Sequence, residues 1–437
     1  MSDWGVQPLG SLATIRRGIS YTESTLQENL EDGCPYINMK SFIKDGGYNK
    51  KGLKFFSGFF TKSDLATAQD LLLANTDVTL DGDIIGVPAY LPDFLQTHSV
   101  LFSHHVTRLS LNNQIHPKYL YYLLCIDTYR RWMRKYARGT TVLMLDMDAI
   151  KKIPFQYPES KTRQGKIAAI LTSIDAAIEK TEALIEKYQQ IKVGLMHDLF
   201  TRGVLTNGQL RPPRNQAPEL YQETAIGWIP KDWHYELLDK LAVRGSGHTP
   251  NKDHAEYWNG GIKWVSLADS YRLDQLYISD TDLKISIQGI QNSSAVLHPA
   301  GIVVLSRDAG VGKSAITTEP MAVSQHFMCW KCDQKMDNYF LYYWLQYNKR
   351  TFENIAMGST ILTIGLPYFK RLKIACPVDI KEQRSIATKL KMADMRLFSL
   401  QDDLIKKRQQ KLGLMQDLLT GKVPVKVDDQ VTEAFSG

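Results

Sequence analysis

Ala137-Arg138-Gly139-Thr140-Thr141-Val142-Leu143 and Ala356-Met357-Gly358-Ser359-Thr360-Ile361-Leu362 decide the fold, because they stand 219 residues apart and the chain keeps that step far beyond them. The same step carries Lys151 to Lys370, Pro158 to Pro377, Gln164 to Gln383 and Asp175 to Asp394 without a gap. It then carries Gly194-Leu195-Met196 to Gly413-Leu414-Met415 and Asp198-Leu199 to Asp417-Leu418. Upstream, Leu120-Tyr121-Tyr122 answers Leu341-Tyr342-Tyr343, and Ser103-His104-His105 answers Ser324-Gln325-His326, both at a step of 221. Trp4, Leu9, Leu12 and Gly18 answer Trp233, Leu238, Leu241 and Gly247 at a step of 229. Matches in the same order predict two copies of one structural unit, each with a divergent front and a well-kept back.

The back of each copy reads as a long helix. Leu171, Ile174, Ile178, Thr181, Ile185, Tyr188, Lys192, Leu195 and Leu199 alternate steps of three and four, which makes a heptad seam. The second copy keeps the phase with Leu390, Ala393, Leu397, Leu400, Leu404, Lys407, Lys411, Leu414 and Leu418. Two matched seams in one chain most simply bury each other as an antiparallel coiled coil. Lys192 and Lys411 hold matching seam positions, where they either fix the register or mark the end of the seam. Asp379 followed by Glu382 reads as an N-cap with its reciprocal partner.

The fronts read as mixed α/β domains. Ile302-Val303-Val304-Leu305 and Lys263-Trp264-Val265 suggest strands, while Tyr119 to Leu124 and Tyr339 to Leu345 suggest helices. Thr206-Asn207-Gly208 and Arg211-Pro212-Pro213-Arg214-Asn215 mark a crossover linker, and the second front starts near Gly227-Trp228-Ile229-Pro230. The expected class is therefore α+β, a pseudo-twofold tandem repeat of two mixed domains separated by two long helices. The first copy departs from the second where Gly82-Asp83-Ile84-Ile85-Gly86-Val87 is matched to Gly301-Ile302-Val303-Val304-Leu305-Ser306-Arg307 and the following Gly-Lys loop is missing.

Composition permits a polyanionic partner without demanding one. The chain has 437 residues, a formal net charge of +7, 43% hydrophobic and 23% charged residues. Met1-Ser2-Asp3-Trp4 lacks a basic patch followed by an apolar run, and no stretch is apolar enough to span a bilayer, so a cytoplasmic, non-membrane protein is expected. Five cysteines fit a reducing compartment better than a disulfide framework.

Catalytic signatures are weak. Gly310-Val311-Gly312-Lys313-Ser314 resembles the end of a phosphate loop, but Arg307 stands where such a loop needs its first Gly. Cys329-Trp330-Lys331-Cys332 has no second pair to complete a zinc site, and reads better as strand. Asp282-Leu283-Lys284 matches only part of a nuclease motif, and no carboxylate–nucleophile set accompanies His104-His105. Arg130, Arg131, Arg134 and Lys135 read as one exposed helix face. No catalytic residue and no metal ligand is assigned.

Taken in order, these residues resemble the specificity subunit of type I restriction–modification systems. The resemblance rests on the Trp4…Leu9…Leu12 and Trp233…Leu238…Leu241 starts, on Ser306-Arg307-Asp308 leading to Gly312-Lys313-Ser314, and on the two Gly-Ser/Thr-Thr segments. It rests most on the helices after Pro158 and Pro377 that close with Leu-Met-x-Asp-Leu. It implies a first target recognition domain over 1–158, a helix over 159–204, a linker over 205–227, a second recognition domain over 228–378, a second helix over 379–421 and a tail over 422–437. It further implies that each domain reads half of a bipartite double-stranded DNA target and that the coiled coil docks two methylation subunits. Restriction/translocase subunits would join them. S-adenosylmethionine, ATP and Mg would sit on those partners, with no cofactor on this chain. A helix of ~55 Å corresponds to ~16 base pairs, so its length would set the spacing of the half-sites.

Arg and Lys reach phosphates and guanine edges, and Ser and Thr reach either. The expected DNA contacts are Arg16, Arg17, Lys40, Arg138, Thr140 and Thr141 in the first copy, and Ser266, Arg307, Lys313, Ser359 and Thr360 in the second. Two other readings compete with DNA readout: a coiled-coil adaptor that binds only proteins, and a nuclease with an unrecognised site.

Overall fold

The computed structural model describes residues 3–28, 33–79, 81–358 and 362–426. It divides into two compact units, Met1–Glu182 with Asp402–Gly437, and Ala183–Gln401. Each unit therefore owns a mixed domain and half of each long helix.

In the first unit, strands Ala13–Arg17, Val106–Leu111, Leu71–Ala74 and Pro88–Ala89 form an antiparallel sheet in that order. Leu71, Leu73 and Leu109 enter one core, with the helix Pro117–Cys125, while Leu72, Ala74 and Val106 enter a second core on the other face. A strand buried on both faces explains the unbroken apolar run Leu71-Leu72-Leu73. The second unit repeats the plan with Val243–Ser246, Phe327–Lys331, Val303–Ser306 and Ser314–Thr317. Val303 and Leu305 pack on the core that holds the helix Asn338–Tyr347, and Ile302 and Val304 on the opposite one.

This topology corrects one alignment. The partner of Val303–Ser306 is Leu71–Ala74, because both pair with the strand that follows a Ser-x-His segment. Gly82–Val87 lies instead in the connection from Leu71–Ala74 to Pro88–Ala89, where Gly82 and Gly86 take positive φ. It thus corresponds to the Gly310–Lys313 turn. Periodicity could not reveal this, since strands buried on both faces carry no alternation to fix their register. Gly310-Val311-Gly312-Lys313 joins two antiparallel strands rather than a strand to a helix, which removes the phosphate-loop reading.

The long helices run Lys161–Thr201 and Ile380–Leu419. Leu171, Ile174 and Leu199 on the first and Leu390, Leu397, Leu400 and Leu418 on the second are buried. Ile178, Ile185, Leu195, Leu404 and Leu414 are half-buried, so every residue of the two seams is at least partly covered. Within the first unit Asp175 meets Lys411 at 2.7 Å and Glu182 meets Arg408 at 2.7 Å, so the helices run antiparallel. Within the second unit Lys192 pairs with Asp394 and the Arg396 guanidinium lies 5.6 Å from the Tyr188 ring, again antiparallel. Lys192 and Lys411 therefore lock the register. Each belongs to a matched triad, completed by Tyr343 on Asp394 (2.9 Å) and Tyr122 on Asp175 (2.7 Å).

The matched helix ends have a packing reason. Met196, Leu199 and Phe200 enter the core of the second unit, and Met415, Leu418 and Leu419 that of the first. Gly203 and Gly421, both at positive φ, lie where a Cβ would stand 2.6 and 2.7 Å from the Cζ2 atoms of Trp233 and Trp4. The buried amides of Gln164 and Gln383 tie each helix start to its domain. Gln164 donates through Nε2 to Pro158 O (2.8 Å) and accepts at Oε1 from His116 N (2.6 Å); Gln383 donates through Nε2 to Pro377 O (2.9 Å) and accepts at Oε1 from Asp337 N (2.9 Å).

Two further expectations are corrected. Asp379 does cap the second helix, accepting from Lys381 N at 2.8 Å. Glu382, however, does not reciprocate: its carboxylate accepts from Val204 N, the buried Arg211 guanidinium and Trp233 Nε1, and so pins the linker. Arg130 does not share the exposed face of Arg131. It is buried, its guanidinium donates to Asp83 O and Ile85 O, and burial pushes its pKa down to about 10. The fixed fork of Arg suits this bracing of a turn by two carbonyls.

Candidate nucleic-acid interface

Four segments of the first unit converge at one end of the Ala13–Arg17 sheet. Gly18–Tyr21 leaves the first strand, Ser103–His105 enters the second, and Asn75-Thr76 leaves the third. The Arg138–Met144 hairpin is laid beside them by the pairs Arg138↔Met144 and Met144↔Thr76. Gly18 is required here, since a Cβ would stand 2.1 Å from the carbonyl oxygen of Phe102. Gly247 meets the Val323 carbonyl oxygen in the same way, at 1.6 Å.

The backbone framework of this end recurs in the second unit. Asn75 N donates to His105 O (2.9 Å) and Asn75 O accepts from Leu145 N (2.8 Å); Arg307 N donates to His326 O (3.0 Å) and Arg307 O accepts from Ile364 N (2.9 Å). Asn75 is thus the counterpart of Arg307, and Thr76 of Asp308. The side chains match too: Thr76 Oγ1 lies 2.9 Å from His105 Nδ1, and Asp308 Oδ2 lies 2.7 Å from His326 Nδ1. Asn75 Nδ2 donates to His104 O (3.1 Å), and Arg307 Nη1 to Gln325 O (3.4 Å).

Around these pairs the chemistry differs. In the first unit the His104 and His105 rings lie 3.8 Å apart, Tyr21 packs 5.8 Å from His104, and Arg17 Nε donates to His104 O at 2.8 Å. Burial, then the charge of Arg17, lowers the His104 pKa; burial, then His104 and Arg17, lowers that of His105. Both rings are therefore neutral at pH 7, each offering one donor and one acceptor nitrogen. In the second unit Thr249 Oγ1 donates to Gln325 Oε1 at 2.5 Å, and Thr363 donates to Asp308.

The expected contacts fall into three groups. Arg17, Arg138, Thr140 and Thr141 are exposed on this end of the first domain, with Arg138 ion-paired to Asp146 at 2.7 Å. Lys40 is exposed on the short turn Met39–Ser41, whose Met39 sulfur accepts from Thr76. Arg16 is held by Asp64 at 2.8 Å. Ser266 is buried and caps the turn Leu267–Arg272 by donating to Asp269, which takes it out of the surface. Arg307 is mostly enclosed, with Nε on Ile364 O at 3.0 Å, and Lys313 Nζ is bound to Ser270 at 3.1 and 3.2 Å; both brace loops. Ser359 and Thr360 lie outside the described residues. Sequence reasoning missed Tyr21, Thr76, Asp308, Gln325 and the role of the two matched histidines. The shared Ser-x-His spacing was the available signal.

Among the described residues no group of three or more His, Cys, Asp or Glu is placed to hold a metal. Cys329 is buried in the strand Phe327–Lys331, and Asp282 is engaged by Arg272 and Tyr271. Among the described residues no helix is long and apolar enough to cross a membrane.

The comparisons fit this architecture. The type I restriction modification DNA specificity domain matches residues 1–189 and 230–412, one match on each copy. The type I restriction enzyme MjaVIII specificity subunit of Methanocaldococcus jannaschii is 25% identical over 436 residues, covering 97% of this chain and 94% of the relative. The type I restriction enzyme HindI specificity subunit of Haemophilus influenzae is 22% identical over 317 residues, covering 61% and 68%. The solved S subunit of a type I restriction–modification system from M. genitalium shares the fold at a TM-score of 0.58 and 14% identity, over 97% of both chains. The two family matches cover most of the sequence, and the chain belongs to the type I restriction–modification DNA specificity family.

Proposed function

We propose that this chain is the sequence-reading subunit of a type I restriction–modification complex, each recognition domain reading one half of a bipartite DNA target. The observation that carries this is the recurrence of one loop-end framework, built on Asn75/Arg307 and His105/His326, with different side chains mounted on it. Two such surfaces on one chain suit two unequal half-sites. The antiparallel seam acts as the ruler between them and as the docking surface for two methylation subunits, with restriction/translocase subunits joining the assembly. S-adenosylmethionine, ATP and Mg act on those partners, and this chain performs no chemistry of its own. It works in the cytoplasm, where the DNA and the partners are. Exchange of residues 1–158 for the corresponding domain of a relative tests the reading. One half of the methylated motif is expected to change while the other half persists; a change in both halves, or in neither, refutes it.

A further inference from the structure

Some residues of the loop-end framework are the same in both units and others differ. His105 and His326 occupy the same backbone site, each anchored through Nδ1 by the residue two places after the central strand. Flanking them, strand register equates Arg17 with Ser246, since both precede the turn at Gly18 and Gly247 and face Thr107 and Met328. The step of 221 equates His104 with Gln325, and the step of 219 equates Arg138 with Met357. All six of these side chains are exposed or half-exposed, Arg138 at 81% and Met357 at 78%.

Two polar atoms beside the first histidine are buried without a protein partner among the described residues, Asn75 Oδ1 and His104 Nδ1, and Ser324 Oγ beside the second is likewise. Orphaned buried polar atoms call for an explanation, and a polar ligand or the water that accompanies it supplies one. Contacts to the sugar-phosphate backbone are the same for any sequence, whereas contacts to base edges must differ when the half-sites differ.

Resting on the reading that each domain reads DNA, we propose that His105 and His326 are the fixed DNA contacts, with Thr76 and Asp308 as positioning residues, and that Arg17/Ser246, His104/Gln325 and Arg138/Met357 select the bases. The chemistry is specific. Arg138 suits the O6 and N7 acceptors of guanine, Gln325 the N6 and N7 of adenine, and Met357 the thymine methyl group.

The test uses the full chain co-expressed with its methylation subunit, with the methylated motif mapped across the host genome. R138A is expected to make one position degenerate in one half of the motif, and Q325A one position in the other half. H326A and H105A are expected to slow methylation of all sites about tenfold without changing the motif, and H326N to recover part of that loss. Motifs unchanged by both R138A and Q325A would overturn the assignment of the selecting positions, and motifs altered by H326A would overturn the division of labour. A parent chain whose motif is not bipartite would instead overturn the underlying two-domain reading.

Discussion

The triads that join each recognition domain to both long helices give the sharpest stability prediction. Lys411→Met removes the cation from the Tyr122–Asp175–Lys411 set, leaving Asp175 with the Tyr122 hydroxyl. Both charged side chains are about three-quarters covered, at 23% and 25% exposure. Two charges ~4 Å apart attract by about 4 kcal/mol at an effective dielectric of about 20. Desolvation of both ions takes back much of that, but deleting one partner strands the other, so the net cost is about 2 kcal/mol. Read by hydrogen exchange, this is about a 30-fold loss of protection, confined to 161–182 and 402–419. Lys192→Met should do the same to 183–201 and 380–401. In a double-mutant cycle, D175N with K411M should cost at least about 1 kcal/mol less than the sum of the single changes. Unchanged exchange in K411M, or strict additivity in the cycle, would refute the claim that these lysines lock the register.

Other consequences follow from the same contacts. Glu382→Ala leaves the buried Arg211 with the exposed Asp232 carboxylate as its counter-ion and should destabilise the second unit by about 2 kcal/mol, exposing 203–211 to limited proteolysis; unaltered cleavage would contradict the pinned linker. Leu199→Ala, at a fully buried seam end, should cost about 3 kcal/mol in urea unfolding monitored on the second unit, and Leu418→Ala a similar amount in the first. His104 and His105 have folded-state pKa values below the ordinary histidine value, so the unfolded chain binds more protons once the pH falls below about 6.5. The first unit should therefore lose stability from about pH 6.5 downward and be insensitive above it, and H104Q should flatten that dependence; an unchanged profile in H104Q would contradict the assignment.

The sequence made the coiled coil legible because a seam of alternating three- and four-residue steps has one geometric meaning, and all its members, from Leu171 to Leu199 and from Leu390 to Leu418, are covered. The step of 219 also marked Gln164/Gln383 and Asp175/Asp394, whose shared bonds now explain their match. The recognition surface was less legible. Thr76 lies 29 residues from His105 and Asp308 lies 18 from His326, so neither pair has a spacing that a sequence reading could test. Side chains were singled out by type, yet type does not distinguish Arg17, at the converging loops, from Arg130, which braces a turn from inside, or Ser266 from an exposed serine. Glu382 was misread for a related reason: helix-start patterns foresee local capping, and its partners Val204 and Arg211 come from the distant linker.

The most direct measurement is the map of methylated bases produced across the host genome by this chain and its methylation subunit. A split motif is expected, two short defined halves around a fixed unspecified gap. A complex that assembles but methylates no defined motif, or a single uninterrupted one, would contradict it.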